Sequence, residues 1–269
     1  MSAFSRRRFF EQSAAIVPGA WLGRRIARGE EVVRLFNQKD LTGLYTWLRN
    51  SKYEDPLKVF SVEDGMLRIS GEDSGYIATR EEYGDYRLTA EYKWGSRTYG
   101  SKTVRNSGIL LHAIGPDGNR SPWMSSIECQ LAQGCAGDLI VIRGKYDDGT
   151  TIPVTITSET VLEADGRTRW KKGGARTVYS GKQFWWSRHD PEFRELIDTR
   201  GRYDVESPLG EWTRVECICN RERITIVVNG VTVNECFDVF PSKGKILLEA
   251  EGFEIYFRRF ELRPLTKSA

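Results

Sequence analysis

Short runs of alternating apolar and polar positions fill most of the chain. In Tyr86–Gly95, Leu88, Ala90, Tyr92 and Trp94 alternate with Arg87, Thr89, Glu91 and Lys93, the period of a strand with one face in a core. In SSIECQLAQ, Ile127, Cys129 and Leu131 alternate with Glu128 and Gln130. VFSVEDGMLRISG predicts a hairpin turning at Asp64-Gly65, and RITIVVNGVTVNEC one turning at Asn229-Gly230. SGILLHA, GDLIVIRG, TRVECICN, GKILLEAEG and FEIYFRRFELRPL complete the set. Helical periodicity is short, with DPEFRELIDT the best candidate. Many short strands with Gly, Asn and Asp turns predict an all-β sandwich or jelly roll of two antiparallel sheets. Residues 143–205, rich in Gly, Arg and Trp, read as irregular loop insertions at one end of it.

Charge divides the chain unequally. Of the formal +3, residues 1–29 contribute +5 (six arginines against Glu11), which leaves about −2 on the remainder. A nearly neutral body gives no electrostatic case for a nucleic-acid partner. The basic start, SRRRFF followed by SAAIVPGAWLG and Ala27-Arg28-Gly29, resembles a twin-arginine export signal with a cleavage site. The expected organisation is a signal peptide over 1–29 and a single domain over 30–269. Localisation is then periplasmic or extracellular, with no stable membrane insertion after processing. A disordered basic terminus is the alternative.

Five cysteines include no CxxC pair, and an odd count excludes complete intrachain pairing, so buried free thiols are expected. The chain has no G-x-S-x-G, H-E-x-x-H, P-loop or dinucleotide fingerprint, and two histidines exclude a histidine-rich metal site. A divalent cation bridging carboxylate and sugar is the one cofactor left open, without a ligand set. His189 reads as a surface residue, and Glu206 and Glu211 as caps of a Pro-Gly turn.

LFNQKDLTGL, YIATREEYGDYRLTAEYKW, NSGILLH, IECQL, DVESPLGEWTRVECI, VNG and GKILLEAEGFEIYFRRFELRPL together resemble the 3-keto-disaccharide hydrolase domain family, from about Val32 to Leu265. The resemblance implies a concanavalin-like jelly roll whose concave sheet binds a carbohydrate. His112 stands where relatives often have arginine, and Glu251 where many have histidine.

If the core takes the apolar halves of these strands, Glu91, Lys93, His112, Glu128 and Gln130 face outward, within reach of one sugar ring if they share a sheet. The activity implied is cleavage of a 3-keto-glucoside by elimination and hydration. Glu128 or Glu91 would be the base, and Lys93 or His112 would polarise the ketone or protonate the leaving oxygen. Gln130 and Asn106 would orient hydroxyls, and Glu251 would aim into the site from a neighbouring strand. Trp170, beside Trp185 and Trp186, offers a ring to stack on a sugar or to pack the loops down. The alternatives are a conventional glycoside hydrolase using a carboxylate pair and a non-catalytic lectin-like module.

If Arg6-Arg7 direct export, replacing both with lysine traps the precursor in the cytoplasm. Undiminished export of a reporter fused to residues 1–35 carrying the two lysines would exclude the signal.

Overall fold

The computed structural model describes residues 31–99, 104–119, 122–181 and 183–265; the leader expected over 1–29 lies outside them. The described strands are β1 (Val33–Arg34), β2 (Leu44–Leu48), β3 (Phe60–Glu63), β4 (Met66–Ile69), β5 (Gly75–Thr79), β6 (Tyr86–Thr98), β7 (Gly108–Ile114), β8 (Ser125–Gln130) and β9 (Leu139–Ile142). They continue with β10 (Thr155–Leu162), β11 (Thr168–Trp170), β12 (Ala175–Tyr179), β13 (Gln183–Phe184), β14 (Thr213–Asn220), β15 (Arg223–Val228), β16 (Val231–Phe240), β17 (Lys245–Ala250) and β18 (Phe253–Pro264). An eleven-stranded sheet runs β11-β10-β16-β15-β14-β6-β18-β4-β3, with β1 on β18 and β12 on β10; a seven-stranded sheet runs β13-β9-β8-β7-β17-β5-β2. The paired strands are antiparallel, as a jelly-roll sandwich requires.

The alternation set out above builds the core between the sheets. Leu88, Ala90 and Tyr92 of β6 and Val215, Cys217 and Cys219 of β14 join Ile109 and Leu111 of β7, Ile127 and Cys129 of β8, and Ile246 and Leu248 of β17. Each large apolar side chain buried this way contributes about 1.5–3 kcal/mol. The two hairpins turn where expected, Asp64-Gly65 and Asn229-Gly230 both adopting positive φ, which two-residue hairpin turns of this kind need at both positions. All five cysteines are buried and free.

No helix occurs among the described residues, so the short one expected over DPEFRELIDT is corrected to irregular turns. Asp190 accepts the amides of Glu192 and Arg202 at 3.0 and 2.8 Å, a local bonding pattern that competes with helix formation. Glu206 is not a turn cap either. It is buried at the end of the core, and its Oε1 accepts Tyr92 Oη–H at 2.8 Å and Trp94 Nε1–H at 2.6 Å.

Burial, reinforced by the charge of Asp204, pushes the Glu206 carboxyl up to about 7. The folded protein therefore holds this proton more tightly than the unfolded chain. The stability it confers is complete below about pH 4.5, is lost as pH rises, and is gone above about 7. Glu206→Gln keeps an oxygen for both donors but does not titrate. Relative to wild type, its urea stability is expected to rise by on the order of 3 kcal/mol between pH 4.5 and 8. A difference independent of pH would refute the assignment.

Candidate functional site

The outer face of the seven-stranded sheet is the unusual surface of the molecule. Glu128 on β8 stands opposite Leu110 on β7 and Ile140 on β9. Two residue pairs further along, Gln130 lies opposite Gly108, and Glu249 on β17 lies opposite Tyr76 on β5. Because Leu248 pairs with Ile109, Glu249 flanks Gly108 from the side away from β8.

Two carboxylates meet over that glycine. A Cβ at residue 108 would lie 2.5 Å from Glu249 Oε2 and 2.7 Å from Glu128 Oε1. Two oxygens that close to one point are at most about 5.2 Å apart. Glu249 is 1% and Glu128 6% exposed, so the pair is buried. At the edge of this cluster Asn106 donates through Nδ2 to Glu251, and its Oδ1 is buried without a hydrogen-bond partner among the described residues. Ser107 Oγ donates to the Glu249 carbonyl at 2.9 Å and fixes β17 against the start of β7. Gln130 uses its own Oε1 to accept the Leu131 amide at 3.1 Å.

The connection from β7 to β8 folds back over the rest of this face. Asp117 accepts Oη–H bonds from Tyr76, Tyr45 and Tyr53 at 2.6, 2.7 and 3.0 Å. At Gly118 a Cβ would fall 2.0 Å from Cζ2 of Trp47, so only glycine allows this approach. Asn119 binds the Lys145 backbone at both ends of its amide. Under this strap Trp47, Tyr76, Ala78, Leu110, Met124, Ile142 and Leu247 form a second apolar cluster. Its two sides line separate hollows. One, of ≈ 580 Å³, is bordered by Tyr45, Tyr53, Arg80, Asp117 and Lys245. The other, of ≈ 830 Å³, has Glu128 on its wall with Trp123, Ile140, Ile142, Arg143 and Lys145.

The structure brings together Glu128, Gln130, Asn106 and Glu251 of the sequence-predicted residues, but not the other four. Glu91 and Lys93 do point outward, but from β6 of the eleven-stranded sheet, on the opposite side of the sandwich. Glu91 accepts from Arg258 Nε at 2.6 Å and Arg259 Nη1 at 3.4 Å. Partial burial works against these contacts, yet the two guanidiniums hold its carboxyl below the usual carboxylate range, which makes it a weaker base. Lys93 lies over the Trp212 ring, 5.1 Å from its centroid.

His112 turns inward. A bulge in β7 and a φ of 52° break the alternation, and the ring sits in the core with Nδ1 2.9 Å from the Pro241 carbonyl and an edge contact to Tyr86. Burial lowers its pKa to about 4, so it is neutral and unavailable to protonate a leaving group. Trp170, on β11, packs partly buried against the main core and donates its amide to the Trp185 carbonyl at 3.0 Å. His189 is buried rather than superficial, lying beside Trp185.

Glu249 was missed although its signal is plain, since Lys245, Leu247 and Glu249 alternate with Ile246, Leu248 and Ala250. Among the described residues no three His, Cys, Asp or Glu side chains converge as a metal would need.

No curated protein matches the sequence. Among solved structures the chain is similar to a candidate glycosyl hydrolase from Parabacteroides distasonis ATCC 8503, at 17% identity over 86% of this chain and 93% of that one, with a TM-score of 0.51. A second from the same organism aligns at 17% identity over 87% and 100%, TM-score 0.48. The Bacillus licheniformis beta-glucanase aligns at 11% over 89% and 100%, TM-score 0.44. At such identities only the jelly-roll architecture is shared. The family model described as the 3-keto-alpha-glucoside-1,2-lyase-like domain matches residues 31–263, and the protein belongs to that family.

Proposed function

We propose that the protein is an exported enzyme that cleaves glucosides already oxidised at C3, by elimination followed by hydration. Family membership supports the substrate class, the arginine-rich N-terminal segment supports export, and the observation that carries the chemistry is the carboxylate pair over Gly108. A ketone at C3 acidifies the hydrogen on C2, because the carbanion delocalises as an enolate. Glu128 takes that proton. As the C1–O bond breaks, Glu249 gives its proton to the departing oxygen, leaving a C1=C2 double bond conjugated with the ketone. Water then adds: Glu249 takes a proton from it as the hydroxyl joins C1, and Glu128 returns its proton to C2, releasing the 3-keto sugar. One proton is held by the pair throughout, and each carboxylate ends as it began. Asn106 supports this reading through its unpartnered Oδ1, an acceptor suited to a substrate hydroxyl.

Incubation with a 3-keto-glucoside and with the unmodified glucoside tests the reaction. Release of sugar from the first alone is expected. Hydrolysis of the second would indicate conventional glycosidase chemistry, and saturable binding without turnover of either would indicate a lectin. On the keto substrate, Glu128→Gln is expected to fold, to bind, and to lose on the order of 10²-fold or more in kcat. A change confined to KM would mean that Glu128 only grips a hydroxyl.

Gly108→Ala probes the pair without removing either acid. Its new methyl group would meet the ends of two flexible side chains rather than backbone, so the fold is expected to survive while the carboxylates are pushed apart. We expect a fall in kcat/KM of about 10-fold or more, with little change in Tm. Unaltered kinetics would separate the chemistry from the pair.

A further inference from the structure

The lining of the hollow of ≈ 830 Å³ beside Glu128 combines apolar side chains with two cations. Its floor is apolar, with Ile140 and Ile142 on β9 and the Trp123 ring alongside. At its far end lie two cations, Arg143 and Lys145. Among the described residues neither forms an ion pair, and Arg143 Nε is buried without a hydrogen-bond partner. Burying a guanidinium N–H unsatisfied costs free energy unless a ligand supplies the acceptor. The Lys145 backbone is fixed by Asn119 on the strap, so its position is set by the fold. Glu128 is the one acid among the described lining residues. It stands opposite Ile140, while Arg143 comes three residues later, about 10 Å along the strand. That is the span of one ring and its substituent, measured from the reacting bond.

We propose that this hollow is the leaving-group subsite, and that it selects an aglycone carrying a carboxylate on a ring with an apolar face. The ring would lie on Ile140, Ile142 and Trp123, and the carboxylate would accept from Arg143 and Lys145. The assignment of the hollow to the leaving group rests on the proposed cleavage at Glu128; the charge preference itself does not. Two sources share this chemistry, an aromatic acid and a uronic acid.

Calorimetric titration of the full protein with unoxidised glucosides tests the proposal without turnover. One arm compares 4-carboxyphenyl glucoside with phenyl glucoside; the other compares a glucosyl-glucuronic acid with the corresponding neutral disaccharide. In at least one arm the acid is expected to bind about 10-fold more tightly, and the preferred arm identifies the ring. In Arg143→Gln the advantage is expected to vanish while affinity for the neutral partner stays within about twofold, with Lys145→Gln weakening it in part. Equal affinities in both arms, an advantage that survives both substitutions, or no binding of any probe would overturn the proposal. A clear acid preference without release of sugar from any 3-keto-glucoside would instead overturn the proposed reaction and leave the charge preference standing.

Discussion

Two carboxylates can lie side by side on a sheet face only if the strand between them gives up its side chain. Strands β8 and β17 flank β7, so Glu128 and Glu249 start two strand spacings apart, roughly 10 Å. Any Cβ at residue 108 would occupy the space in which their oxygens now converge. The same strand sets the other half of the site. Four residues on, the left-handed backbone of His112 and the bulge around it break the ladder, draw the imidazole into the core, and send the chain back across the face as the strap. A missing side chain at one end of β7 and a break in register at the other thus create, respectively, the acid pair and the cover beside it.

That cover changes what the outer face can do. An uncovered sheet face is usually solvated, but here Tyr76, Leu110 and Leu247 are fully buried beneath the strap. Asp117 is the strap's main tie, drawing three tyrosine hydroxyls to one carboxylate, and Gly118 lets the backbone rest on the Trp47 ring. The aromatic rings that look most suited to sugar stacking, Trp47 and Tyr76, are consumed in holding the strap. Trp123 is only partly buried and remains on the wall of the larger hollow. Polar grip at one end and an apolar shelf at the other follow from where the strap lies.

The inward half of the fold was legible because alternation reports it directly: Leu88, Ala90, Tyr92, Ile127 and Cys129 are all at 0% exposure. The hairpins were legible because Asn-Gly and Asp-Gly tolerate positive φ. What alternation does not report is which of two outward faces a residue occupies. Glu91 and Glu128 sit in identical local patterns, yet β6 pairs with β14 and β18 while β8 pairs with β7 and β9. Only those long-range pairings separate them. His112 escaped for a different reason, since one extra residue in a strand reverses every side chain after it and leaves no mark on hydrophobic pattern. Glu249 carried the right period, but its closeness to Glu128 depends on register across two strand pairs and on the glycine between.

The placement of the pair also bears on the type of bond cleavage. A retaining glycosidase sets its acid and nucleophile about 5–5.5 Å apart on the two sides of the scissile bond. Glu128 and Glu249 instead rise from neighbouring positions on one sheet face, at most about 5.2 Å apart at their nearer oxygens. In a syn elimination, the hydrogen removed and the oxygen released leave adjacent carbons from one face, so base and acid can be close neighbours on a common side. An anti elimination, as from the trans-diaxial C2 hydrogen and C1 oxygen of an α-glucoside, would draw on opposite faces. For the proposed reaction, two glutamates rising from one sheet face suit the syn course. With Glu249 as the proposed acid, the reaction draws no proton from the ammonium of Lys93, on the opposite sheet, or from the imidazole of His112, turned into the core.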